Sequence, residues 1–171
     1  MYEILGFYKF IKINYLKRKK EFLQKFLIKN KIRGTIIISK EGLNGTISGK
    51  SKDVKTLINK LKKIFIFKNF DSNNNSKSSL QPFHRAKVKI KKEIVPMNLI
   101  LSKRIKKKDS HVEPKKWNKL IKDKDTLVID SRKPFEYEVG TFKKSVNPNI
   151  DNFRDFPKYL KKLKKDKPIA M

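Results

Sequence analysis

The sequence predicts an α+β unit of the ferredoxin-like, split βαβ type over residues 1–96 and a parallel α/β unit over residues 114–171. Three observations carry this. The apolar patterning of the first half runs strand, helix, strand, strand, helix, strand. In the second half a short apolar run, Leu127-Val128-Ile129, ends in Asp130-x-Arg132, with another run at Ile169-Ala170-Met171. A helical pattern lies between those two runs, and a strand, helix, strand crossover implies parallel strands.

The elements are expected as follows. Ile4 to Ile13 is aromatic and β-branched and reads as a strand. Lys17 to Lys29 places Phe22, Leu23, Phe26 and Leu27 on one helix face. Thr35 to Ile38 is a strand, and Thr46 to Ser48 another. Between them Glu41-Gly42-Leu43-Asn44-Gly45 reads as a turn of residues tolerant of positive φ. Ser51 is placed as an N-cap with Asp53 in the first turn. Val54, Leu57, Ile58, Leu61 and Ile64 then make the clearest helical stripe in the chain. Phe65 to Phe70 leads toward a fourth strand. Asp71 to Ser79, DSNNNSKSS, reads as an exposed loop. Arg85 to Val95 alternates, with Ala86, Val88 and Ile90 inward and Lys87, Lys89 and Lys91 outward, the pattern of a half-buried strand.

Residues 97–113 read as a basic linker containing Lys103-Arg104-Ile105-Lys106-Lys107-Lys108. Pro114 suits the first turn of a helix carrying Trp117, Leu120 and Ile121. After the Leu127 strand comes a polar turn at Pro134, then Glu136-Tyr137-Glu138, with Gly140 as a break. Tyr159, Leu160 and Leu163 form a helix face behind Pro157.

Composition narrows the function. The 171 residues carry a formal net charge of +29 and no cysteine. Disulfides and cysteine zinc sites are therefore excluded. His84 and His111 are the only histidines, and they are far apart in sequence, so no metal site is expected. No apolar run reaches the ~20 residues that span a bilayer, and no signal-peptide pattern opens the chain, so a cytoplasmic location without membrane association is expected. The charge fits a polyanion, most simply RNA. It fits equally the Lys, Asn and Ile usage of an A+T-rich genome, and both readings stay open.

Candidate sites fall into two groups. At the end of a parallel strand, Arg132 offers fixed donors to an anionic group and Asp130 braces it; a structural ion pair is the competing reading. Glu136 and Glu138 are a weaker carboxylate pair. In the first half, the Glu41–Gly45 turn could present backbone N–H groups to a phosphate, helped by Arg33, Lys40 and Asn44. It is neither a Walker nor a dinucleotide fingerprint. Arg85, Lys87 and Lys89 could form a track for an RNA backbone, with Phe83 and His84 near enough to stack on a base.

The segment from Leu127 to Asn147 resembles the rhodanese-like family. Within that family it resembles more closely one branch, the oxygen-dependent tRNA wobble-uridine hydroxylases. The residues that carry the resemblance are Tyr137-Glu138-Val139-Gly140-Thr141-Phe142, Ser145-Val146-Asn147-Pro148 and Asn152-Phe153-Arg154-Asp155-Phe156-Pro157. Upstream, Phe7-Tyr8-Lys9-Phe10, Glu41 through Ser48, Lys87-Val88-Lys89 and Glu93-Ile94-Val95 extend it. The resemblance implies an acylphosphatase-like first domain and the first part of a rhodanese-like second one. It implies hydroxylation of uridine 34 of tRNA to 5-hydroxyuridine, with molecular oxygen as co-substrate; no metal or flavin motif is visible in the sequence. Asp130, Arg132 and Arg154 would then support the active site. The family's catalytic cysteine would fall just beyond Met171, so this chain is expected to be an inactive N-terminal fragment. A non-enzymatic RNA-binding module and a rhodanese-type sulfurtransferase remain the alternatives.

Overall fold

The computed structural model describes residues 1–95, 112–164 and 166–171. The chain divides into two compact units, Met1–Val95 and Pro96–Met171. The predicted linker falls largely outside the described residues, as do its basic cluster Lys103–Lys108 and His111.

Unit 1 is built from β1 (Tyr2–Phe10), α1 (Leu16–Lys29), β2 (Arg33–Ser39), β3 (Gly42–Gly49), α2 (Ser51–Phe65), β4 (Ser72–Ser78) and β5 (Ala86–Ile90). The sheet order is β4-β1-β3-β2-β5. Pairing is antiparallel between β1 and β3, β1 and β4, and β2 and β3, and parallel between β2 and β5. The first four strands and two helices make the split βαβ frame of a ferredoxin-like α+β fold. Leu5, Phe7, Ile36, Ile38, Leu43 and Ile47 from the strands meet Leu23, Leu27, Val54, Leu57 and Leu61 from the helices in one buried cluster. Period-2 and period-3.6 apolar faces thus close on each other, and each such side chain contributes about 1.5–3 kcal/mol by leaving water.

Four expectations are corrected. First, the stretch read as an exposed loop is β4, paired with β1 from Tyr2↔Ser78 to Tyr8↔Ser72. Its five central residues are exposed. An edge strand wet on its faces carries no alternating pattern, so its pairing is invisible to hydrophobic periodicity. Asp71 pins its start, accepting from Lys9 Nζ at 2.8 Å and from the Phe10 N–H at 2.7 Å. Phe65 to Phe70 leads into this fourth strand as expected: α2 ends at Phe65, Ile66 takes a left-handed φ of 56°, and Phe70 packs on Phe7 at 5.0 Å between ring centroids. Second, the strand read from Arg85 to Val95 is shorter, and it is a fifth strand beyond β2. Third, the N-cap of α2 is Lys50, without a side-chain capping bond, and Ser51 is already helical.

Fourth, Gly42 to Gly45 belong to β3 rather than to a turn, and only Lys40 and Glu41 turn the chain. These glycines answer to close approach, not to positive φ. A Cβ on Gly42 would stand 2.2 Å from the Lys9 carbonyl oxygen, and one on Gly45 2.8 Å from that of Thr35. The glycine that does need its freedom is Gly34, at φ +119°.

Unit 2 contains α3 (Pro114–Leu120), β6 (Leu127–Val128), α4 (Pro134–Val139), a 3₁₀ turn (Phe153–Asp155), α5 (Phe156–Lys162) and β7 (Ile169–Ala170). Strands β6 and β7 are parallel, and Ile129 bridges Val146, also in parallel. The predicted polar turn at Pro134 is instead the short helix α4. Pro134 starts it, Glu136 accepts from the Lys133 N–H at 3.2 Å, and Gly140 ends it.

Candidate functional site

The register of unit 2 decides where its polar residues gather. Leu127 pairs with Ile169 and Val128 with Ala170, so both strands end at one edge. The Asp130 N–H donates to the Val146 carbonyl at 3.0 Å, holding Asp130 at the carboxyl end of the β6 segment. Ligand sites of parallel sheets form at this edge. Here it opens on a cavity of about 460 Å³ whose lining includes Trp117, Ile129, Asp130, Arg132, Thr141, Phe142, Ser145 and Met171.

Asp130 and Arg132 are brought together as expected. Arg132 Nε donates to the carboxylate at 2.9 Å and 3.1 Å, Nη2 donates to Oδ2, and the Arg132 N–H adds a bond at 3.1 Å. Nη2 also donates to the Gly140 carbonyl at 2.6 Å. The guanidinium is thus clamped at Nε and Nη2. Both N–H groups of Nη1 lack a partner among the described residues. The Asp130 side chain is 8% exposed and that of Arg132 47%. The arginine is therefore fixed by a buried brace while its remaining donors stay open.

The electrostatics follow from this. The hydrogen bonds from Arg132 hold the Asp130 carboxyl well below the usual carboxylate range, against burial, with the Thr141 hydroxyl helping. The same pairing raises the pKa of Arg132. With Asp130 ionised, the proton order of the neighbouring hydroxyls is determined. Thr141 Oγ1 gives its one hydrogen to Asp130 Oδ2 at 2.7 Å. The 2.6 Å contact between Thr141 and Ser145 is then a donation from Ser145.

The sequence reading singled out neither Thr141, Ser145 nor Asn147 as site residues. Asn147 Nδ2 donates to the carbonyls of Asp130 and Arg132, both at 2.9 Å, and so holds the strand-end corner. Tyr137 donates its phenol hydrogen to the Ser145 carbonyl at 2.9 Å. The available signal was four small polar or aromatic residues following an Asp-x-Arg corner, which is weak without coordinates. Trp117 lies on the helix expected for it, α3. It packs edge-on to Phe142 at 5.4 Å, and its indole N–H is buried in the cavity wall without a partner among the described residues. The cavity therefore offers the open donors of Arg132 to an acceptor.

The other predicted residues lie elsewhere. Arg154 is exposed in the 3₁₀ turn and is not among the cavity's lining residues. Glu136 and Glu138 sit on α4, also outside that lining. In unit 1 the predicted grouping of Arg33 with Lys40 and Asn44 is overturned. Arg33 opens β2 opposite Ser48, whereas Lys40 follows the far end of the strand. Six strand steps separate Arg33 from Ser39, roughly 20 Å. Asn44 donates to the Ile94 carbonyl at 3.2 Å, and Gly42 to Gly45 pair with β1 and β2. No phosphate-cradling turn exists there. Lys87 and Lys89 are exposed on β5 and Arg85 is exposed just before it, its carbonyl accepting from the Gly34 N–H at 2.8 Å. Arg33 and Arg85 are therefore neighbours on adjacent strands.

No group of three or more His, Asp or Glu side chains able to hold a metal ion occurs among the described residues. No helix among them is long and apolar enough to cross a membrane.

A split βαβ sheet with a fifth parallel strand, joined to a parallel α/β segment with an arginine clamp at its strand ends, defines an acylphosphatase-like domain attached to a second unit. The model of the UPF0176 acylphosphatase like domain matches residues 2–94, and the chain belongs to that family. A curated relative from Pelagibacter ubique (strain HTCC1062), named tRNA uridine(34) hydroxylase, is 67% identical over 171 residues, all of this chain and 56% of that protein. The chain thus spans little more than half of that relative's length. Among solved structures, acylphosphatase from Bacillus subtilis is similar over 52% of this chain and 98% of its own, with 14% identity and a TM-score of 0.38. BlrP1 of Klebsiella pneumoniae is similar over 54% of this chain and 24% of its own, with 11% identity and a TM-score of 0.43.

Proposed function

We propose that this chain is the acylphosphatase-like domain and the opening of a rhodanese-like domain of a tRNA hydroxylase, which converts the wobble uridine at position 34 to 5-hydroxyuridine with molecular oxygen. The observation that carries the reading is 67% identity across every one of the 171 residues to a relative so named. The matched stretch includes the Asp130 corner, whose braced arginine and adjoining cavity support the reading.

In this reading unit 2 supplies the floor and one wall of the reaction pocket. The resemblance places the reactive cysteine on a loop following the strand that begins at Ile169. Strand β7 lies beside β6, and Met171 lines the Asp130–Arg132 cavity. A thiolate entering there would meet the open donors of Arg132, and a neighbouring guanidinium favours the thiolate over the thiol. Asp130 does not touch the reacting atoms. It holds Arg132 through the fork and is itself held by Thr141 and Asn147.

The test uses a protein of the relative's full length in cells whose own copy is deleted. Nucleosides from tRNA are then analysed for 5-hydroxyuridine. Wild type restores the modified nucleoside. Arg132→Ala lowers it by about 10²-fold, the scale of losing one oriented donor to a developing charge. Arg132→Lys does not restore it, because an ammonium cannot fork to Asp130 and reach Gly140 together. Full modification by Arg132→Ala would sink the assigned role. Sulfur transfer from thiosulfate to cyanide, with no modified uridine, would select the sulfurtransferase instead. The 171 residues alone contain no cysteine, and on this reading they form no 5-hydroxyuridine.

A further inference from the structure

Unit 1 has a second concavity, well apart in sequence from the Asp130 corner. It is a cleft of about 610 Å³ at the end of the sheet where α1 finishes and α2 begins. Lys31, Arg33 and Lys50 line it, with Asp53 the one carboxylate. All three cations are exposed. Asp53 makes no ion pair with any of them among the described residues, so their charge is not cancelled inside the cleft. The first turn of α2 adds the positive end of a helix of 15 residues.

Two features separate this cleft from an ordinary basic surface. Gln81, also in its lining, donates Nε2 to the Ser48 carbonyl at 3.2 Å, while its Oε1 is buried with no partner among the described residues. That bond fixes the Gln81 amide in the wall of the cleft. Tyr2 and His84 add flat rings to the same lining, able to stack on a base.

The cleft is also continuous with a cationic row. Arg33, at its edge, lies beside Arg85, and from there Lys87 and Lys89 point outward along β5 while Val88 is buried. Alternate residues of a strand repeat every ~6.7 Å on one face, a spacing of the same order as that of successive phosphates on an extended strand. Lys87 and Lys89 thus prolong the charge of the cleft into a line.

We propose that this cleft, formed by Lys31, Arg33 and Lys50 and extended by Arg85, Lys87 and Lys89, is a seat for the phosphodiester backbone of an RNA strand. It positions the RNA and performs no chemistry. The choice of RNA over another polyanion rests on the tRNA reading above. The row of cations and the stacking rings each fit a nucleotide chain.

The experiment is binding of fluorescently labelled tRNA to the 171-residue chain over a potassium chloride series, read without turnover. A triple variant, Lys31→Gln with Arg33→Gln and Lys50→Gln, is compared with Lys17→Gln, Lys20→Gln and Lys63→Gln. The second set removes the same charge near the opposite ends of the same two helices. Each phosphate contact contributes about 0.7–0.9 to the slope of log affinity against log salt. The cleft variant therefore loses about two from the slope, and the control set keeps the wild-type slope. Equal losses in both sets overturn the proposal, since the charge then acts from anywhere on the surface. Displacement of the tRNA by millimolar inorganic phosphate or uridine monophosphate, with equal slopes in both variants, also overturns it and makes the cleft a small-anion site. Thermal melts by circular dichroism verify that the variants fold; if the triple variant does not, Lys50→Gln alone is used, with an expected slope loss of about one. Because no hydroxylation is read, failure here speaks against the cleft. Missing 5-hydroxyuridine in the full-length experiment speaks against the activity.

Discussion

At the scale of single residues, the arrangement around Asp130 is a chain of donors that ends on one carboxylate. Ser145 gives to Thr141, Thr141 gives to Asp130, and Arg132 gives to it from three nitrogens. Because its folded-state pKa is depressed, the unfolded chain binds the proton more readily than the native one. The stabilisation from ionised Asp130 is therefore fully present above about pH 4, the carboxylate's ordinary value, and is lost as pH falls through the lowered one. Asp130→Asn keeps the shape and removes the charge. The variant is expected to melt roughly 5 °C lower at pH 7, the size of a ~1 kcal/mol loss in a small unit, with half-exposed Arg132 limiting the effect. Below pH 4 the two curves should converge. The single tryptophan, Trp117, packs on Phe142 beside Thr141 and reports this unit alone. A gap that stays constant down to pH 2 would show that Asp130 acts by packing and not by charge.

Secondary-structure elements show what the residues could and could not announce. Helix α2 was legible because Val54, Leu57 and Leu61 recur at helical spacing and all three are fully buried. The Asp130-x-Arg132 corner was legible because a short apolar run must end somewhere, and charged residues directly after it mark the end. Strand β4 was not legible, since Ser72 to Ser78 meets only β1 and leaves its side chains in water. Nor was the holding role of Asn147, whose bonds cross 17 and 15 positions of sequence. The opposite edge of the sheet hides a comparable device. Strand β5 ends the sheet, and Gln24 of α1 reaches its outer side. Its amide donates to the Ala86 carbonyl at 2.9 Å and accepts from the Val88 N–H at 2.8 Å. One side chain thus occupies two of the outward-facing backbone groups through which a further strand would add. Gln24→Ala should cost about 1–2 kcal/mol in urea unfolding, the loss of two part-buried hydrogen bonds. It should also promote self-association, seen as a larger species in sedimentation. Unchanged stability together with an unchanged monomer fraction would remove the capping role.

For the molecule as a whole the governing quantity is the net charge of +29. A charge of that size acts twice, and the two actions respond to salt in opposite senses. Within the folded chain, like charges repel and oppose compaction. Lys17, Arg18 and Lys20 crowd the first turns of α1, where the helix dipole also disfavours cations, and no acidic residue offsets them in that first turn. Screening should relieve this, because the Debye length shrinks from about 10 Å at 0.1 M to about 3 Å at 1 M. The melting temperature of the chain is therefore expected to rise by several degrees between 0.05 M and 0.5 M sodium chloride. Over the same range its affinity for tRNA should fall by powers of ten, linearly in log salt. If the basic composition served only the genome's base usage, the first effect would appear without the second, and tRNA would bind no more tightly than an equally basic protein of unrelated fold. Melting curves and binding isotherms collected in the same buffers decide between the two. A charge retained for RNA should leave the chain most stable at the salt where it binds worst, and tRNA added at low salt should restore the stability that repulsion removes.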